Sequence, residues 1–109
     1  MNTSKRIAHV LDVLAQTKTF FENPPFEGFP VKDCVRRSID LVASRKGIKA
    51  STVESAMCRN MGLSFDTWVS MIEYWLKTGD YTAIKQVLLK NASQRSYAAD
   101  CAAIRKVFP

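Results

Sequence analysis

The chain has 109 residues, 47% of them hydrophobic, and carries 16 Lys and Arg against 10 Asp and Glu for a formal charge of +6. That length fits one domain spanning residues 1–109 with a single core, and that hydrophobic share excludes a chain dominated by disorder. Four glycines and four prolines are little punctuation between long periodic stretches, which reads as an all-α chain, a compact bundle of five to six helices.

Ser4 is placed to cap a first helix running to about Phe21. Its residues Ile7, Val10, Leu11, Leu14 and Phe21 fall on one face at helical spacing. His9 lies beside that stripe, a lone histidine with no second ligand near it. Residues 22–30, "ENPPFEGFP", form a connector: the prolines forbid a continued helix and Gly28 permits a tight turn. Phe26 and Phe29 are expected to tuck onto the core.

A second helix follows over residues 31–46, with Val31, Val35, Ile39 and Val42 inward and Gly47 ending it. Ser51-Thr52-Val53-Glu54 has the S-x-x-E form of a capping box and opens a short helix over 52–61, which Gly62 terminates. Ser64 caps the next helix, 65–78. There Phe65, Trp68, Val69, Ile72, Trp75 and Leu76 form the strongest amphipathic stripe of the chain. Gly79 stops it. Residues 81–92 and 96–108 make a C-terminal helical pair, with Ile84, Val87, Leu88, Tyr97, Cys101, Ile104 and Phe108 inward.

Residues 39–58 carry a recognisable order. Ala43 is a small residue four positions before Gly47, Ile48 is an apolar residue after the turn, Val53 anchors the following helix and Ala56 fills the last inward slot. This stretch resembles the helix-turn-helix DNA-binding family, with Lys46 where the family usually has an apolar residue. A second register over 54–73 competes. It has Cys58 as the small residue, Gly62 as the turn glycine, Met61 and Leu63 as flanks, and Trp68 and Met71 as anchors.

Charge separates the two. The second register exposes Asp66, Thr67, Ser70 and Glu73, and carboxylates oppose contact with phosphates. The first exposes Thr52, Ser55 and Arg59, with Lys49 at the start. Short hydroxyls near a helix N-terminus suit phosphate or base-edge contacts, and an arginine can read guanine. Residues 32–59 hold seven basic and three acidic side chains, hence +4 of the chain's +6.

The sequence contains no phosphate-binding glycine loop, dinucleotide fingerprint or H-E-x-x-H. No serine lies in a G-x-S-x-G elbow. The expectation is a non-enzyme with no catalytic residue, no metal, no cofactor and no evident small-molecule substrate. Cys34, Cys58 and Cys101 are odd in number and widely spaced. They argue against a disulfide framework or zinc finger and for buried thiols in a reducing cytoplasm. No apolar run approaches a membrane span, and the N-terminus lacks a signal-peptide core, so a membrane partner is not expected.

Together these features lead to a cytoplasmic, sequence-dependent DNA-binding protein, a small transcriptional regulator or the recognition domain of a larger system. Lys49, Thr52, Ser55 and Arg59 are assigned to the major groove of double-stranded DNA, and Arg36, Arg37, Arg45 and Lys46 to backbone phosphates. The alternative is a helical protein–protein interaction module whose basic face meets an acidic partner. A homodimer through Ile7, Leu11 and Leu14 of the first helix is a further expectation. RNA ranks below both partners, since the aromatics fall on core stripes rather than between basic residues.

Overall fold

The computed structural model describes residues 5–109, and among them every regular element is a helix. In order these are α1 (Lys5–Glu22), α2 (Val31–Lys46), α3 (Ala50–Met57), a 3-10 turn (Arg59–Met61), α4 (Phe65–Thr78), α5 (Thr82–Lys90) and α6 (Tyr97–Val107). The all-α class with six helices is the one expected. A cap at Ser4 lies outside the described residues.

The apolar spacing of α1 places Ile7, Val10, Leu11, Val13 and Leu14 inside. Thr17 is buried with them and needs a partner there; its hydroxyl donates to the Val13 carbonyl at 2.7 Å. Ser38 does the same on α2, donating to the Cys34 carbonyl at 2.7 Å. Helix α1 is the central pillar. It packs on α2, α3, α4 and α6, while α5 lies against α4 and α6. One apolar cluster joins all six helices through residues such as Leu14, Val35, Met57, Trp68, Leu88 and Ile104. Each large side chain so buried contributes on the order of 1.5–3 kcal/mol.

Two turns set α3 between its neighbours, and they are built alike. Gly47 adopts φ 66°, ψ 33° and Gly62 φ 66°, ψ 30°, a left-handed conformation that costs other residues energy. At the first, Ile48 N–H donates to Ala43 C=O at 3.0 Å and Gly47 N–H to Ser44 C=O at 3.2 Å. At the second, Leu63 N–H donates to Cys58 C=O at 3.0 Å and Gly62 N–H to Arg59 C=O at 3.4 Å. Both are Schellman closures, which satisfy carbonyls left over at a helix end. Each is followed by one extended residue, Lys49 or Ser64, and then a new helix. The two helix-turn-helix registers are thus two copies of one turn.

Four expectations are corrected. Helix 52–61 is shorter and earlier: α3 ends at Met57, and Arg59 opens the 3-10 turn. Ser51 does not form the capping box, because Lys49 holds the cap position with no side-chain bond and Ser51 is already helical. Phe26 stays 61% exposed, its ring edge-on to Phe29 at 5.2 Å. Tyr97 is 57% exposed, since the inward face of α6 is set by Asp100, Cys101 and Ile104.

Candidate nucleic-acid interface

The start of α3 brings together Lys49 and Thr52, two of the residues assigned to the groove from sequence, with Ser51 between them. Lys49, Ser51 and Thr52 are all exposed there. Thr52 and Val53 donate their N–H groups to the Lys49 carbonyl, at 3.0 and 3.4 Å. No side chain caps this end, so the N-terminal pole of the helix faces outward with Lys49 beside it. Ser55, one turn on from Thr52, is half-buried. Val53, Ala56 and Met57 hold the opposite side in the core.

Arg59 is exposed but lies past the end of the helix. It therefore does not continue the Thr52–Ser55 face as an unbroken helix would. The cause is local. The Met57 carbonyl is taken by the Trp68 indole N–H at 2.6 Å, and the Cys58 carbonyl by Met61 and Leu63 N–H at 3.2 and 3.0 Å. These bonds turn the chain before another α-turn can form.

The four residues assigned to phosphates are exposed but do not share one side of α2. Arg36 reaches toward α4, its guanidinium 4.4 Å from the centre of the Phe65 ring. With Ile39, Asp40, Ala50 and Glu54 it lines a cleft of about 90 Å³ between α2 and α3. Arg37 sits over Phe20 and Phe29, 5.9 Å from each ring centre. Arg45 and Lys46 face α1: Arg45 Nη1 donates to Gln16 Oε1 at 3.0 Å, and Lys46 Nζ meets Asp12 Oδ2 at 2.6 Å. Lys46 also donates to His9 Nδ1 at 2.9 Å. Burial and the Lys46 ammonium hold His9 below its ordinary value, with Asp12 opposing, so its ring is neutral and accepts this bond at neutral pH. Only Arg36 of the four thus borders α3.

The other register presents a different surface. Asp66, Thr67 and Ser70 are exposed on α4. Thr67 is already bonded to Ser64 through both its N–H at 3.1 Å and its hydroxyl at 2.8 Å. Asp66 stands 3.7 Å from Lys32, and Glu73 pairs with Lys77 at 3.1 Å. The apolar face of α4 is core: Trp68, Ile72 and Trp75 are buried. Ile7, Leu11 and Leu14 are likewise inside, so the α1 stripe expected to serve a homodimer is occupied by the fold itself.

Among the described residues no three His, Cys, Asp or Glu side chains stand where they could hold a metal. Burial pushes the Cys34 and Cys58 thiols up, with Asp33 and Glu54 adding to it, which keeps both protonated and poor nucleophiles. No helix is long and apolar enough to cross a membrane.

Two features are not legible in the local sequence pattern. Ser51 fits a cap by its S-x-x-E spacing and is instead an outward hydroxyl beside Thr52. The C-terminal part carries a second basic cluster: residues 81–109 hold Lys85, Lys90, Arg95, Arg105 and Lys106 against Asp100 alone, hence +4. Charge summed by structural segment brings it out. Comparison with protein-family models, with curated proteins and with solved structures gives no match to this chain.

Proposed function

We propose that this is a cytoplasmic DNA-binding protein that reads duplex DNA with the start of α3, as a small transcriptional regulator or the recognition domain of a larger system. The observation that carries the reading is the turn at Gly47, which seats α3 on α2 with Lys49, Ser51 and Thr52 outward. Thr52 and Ser55 are assigned to base edges. Lys49, Arg36 and Arg59 are assigned to phosphates around them, where cations supply most of the affinity. Three free thiols suit a reducing compartment. Selection from a random duplex pool, then titration of the recovered site against a scrambled one, tests this. A preferred site bound about a thousandfold tighter is expected; no duplex binding at low salt refutes it.

One observation favours an acidic protein partner instead. Arg45 and Lys46 line a groove of about 380 Å³ between α1 and α2 together with Asp12 and Gln16, and no residue of α3 is in its lining. On that reading duplex DNA does not compete for the groove, and Arg45→Ala weakens the partner while Thr52→Ala does not.

A further inference from the structure

The second basic cluster sits on different helices from the α2–α3 surface. Helix α6 packs on α1 and α5, whereas α3 packs on α1 and α2. Lys90, Arg95, Arg105 and Lys106 are all exposed, and none makes an ion pair among the described residues. The one acid of this segment, Asp100, is buried. It accepts the Ser93 N–H at 2.7 Å and the Ser96 hydroxyl at 3.4 Å. It therefore pins the α5–α6 connection from inside and leaves the outer face without an acidic side chain.

That outer face has a shape as well as a charge. Ala98, Ala102, Arg105 and Lys106 are exposed on α6, at spacings of four, seven and eight from the first, so they form one stripe. Arg95 stands just before the first turn of this helix and Arg105 and Lys106 in its last. From Tyr97 to Arg105 the helix rises about 12 Å at 1.5 Å per residue, comparable to the width of the major groove, about 12 Å. The alanines between the two cationic ends let the backbone approach a surface closely.

We propose that the outer face of α6, with Arg95 at one end and Arg105 and Lys106 at the other, is a second phosphate-gripping surface for duplex DNA that spans the major groove. Its partner class rests on the proposed function, but its residues do not overlap with those of α3. It supplies affinity without sequence preference, and it lets one protein touch duplex through two surfaces.

The test is a salt titration of duplex binding by the full chain, by an Arg95→Gln/Arg105→Gln/Lys106→Gln variant and by a Lys49→Gln/Thr52→Ala variant. The triple variant is expected to shallow the log–log slope by about 0.9 for each phosphate no longer neutralised and to keep its sequence preference. The α3 variant is expected to lose preference and keep the α6 share of the slope. A triple variant with the parent's slope overturns the α6 surface and leaves the α3 reading standing. An α3 variant that binds like the parent, beside a weakened triple variant, does the reverse. A parent that binds no duplex at low salt overturns both. Amine acetylation read by mass spectrometry requires no variant to fold: duplex is expected to protect Lys106 and not Lys77 of α4, and equal labelling of Lys106 with and without duplex overturns the proposal.

Discussion

The indole N–H of Trp68 donates to the main-chain carbonyl of Met57 at 2.6 Å, fastening α4 to the last residue of α3. Trp68 is fully buried, so the bond is shielded from water and the carbonyl has no solvent alternative. Trp68→Phe keeps most of the ring volume but strands that carbonyl, which should cost about 1–3 kcal/mol. Trp68→Ala adds a cavity and should cost about 3–5 kcal/mol. Denaturant unfolding of the two variants separates the hydrogen bond from the packing; a Trp68→Phe variant as stable as the parent would show that the bond contributes nothing.

Gly47 holds its left-handed backbone with open space where a Cβ would stand. Gly47→Ala should therefore cost only the conformational penalty, about 1–2 kcal/mol, with no clash added. Gly47→Asn should cost less, since asparagine tolerates this region. The same ranking is expected at Gly62, whose surroundings are equally open. Thermal melts of the four variants check it; a loss at Gly47→Ala far above this range would mean that α3 itself is displaced.

Lys46 and Lys49 lie three positions apart and should behave differently. Lys46 is paired with Asp12 and bonded to His9, whereas Lys49 makes no ion pair among the described residues. Lys46→Ala should lower stability by up to about 1 kcal/mol, the usual range for a surface pair, and leave the salt slope of duplex binding close to the parent's. Lys49→Ala should leave stability alone and shallow that slope by about 0.9. The opposite pattern would move the duplex to the α1–α2 groove.

Thr52 and Arg59 should separate by specificity. Thr52 sits on the exposed first turn of α3, and Arg59 follows the helix end. Thr52→Ala is expected to change the preferred base at one position. Arg59→Ala is expected to weaken preferred and scrambled duplexes alike, as removal of a phosphate-binding cation does. Binding of both variants to single-substituted sites distinguishes these outcomes.

His9 gives the fold a pH dependence of definite sign. Its folded value lies below the ordinary 6.5, so the unfolded chain binds the proton more readily in that window. The stability it contributes is complete above about 6.5 and is lost as pH falls through the lower folded value. Melting temperature should drop between pH 7.5 and 5 by more in the parent than in His9→Gln. Identical drops would show that His9 does not sense pH.

The glycine-terminated helices were legible because Gly47, Gly62 and Gly79 each end a periodic stretch with a residue that alone takes positive φ at little cost. The inward faces of α2 and α4 followed from spacing. The end of α3 did not, because it is set by Trp68, which lies in the first turn of the next helix and reaches back to Met57. No local pattern carries that bond. The capping box failed for a similar reason: the turn at Gly47 finishes at Ile48, and the helix begins before Ser51 can serve as a cap. The split of Arg36 from Arg45 and Lys46 needed the position of α1, which supplies Asp12 and Gln16 as partners.

Helices ordinarily loosen from both ends, and α6 should not. Its closing residue, Phe108, is 1% exposed and wedged edge-on against Trp75 at 5.3 Å and beside Tyr81 at 5.1 Å. Its opening turn has no side-chain cap and leaves Tyr97 and Ala98 in water. Fraying is thereby made one-sided, and amide hydrogen exchange along α6 should quicken toward Tyr97 and slow toward Phe108. The helix is held at its tail, and loosening of its exposed start runs only as far as Asp100, whose bonds to Ser93 and Ser96 tie that turn to the α5–α6 connection.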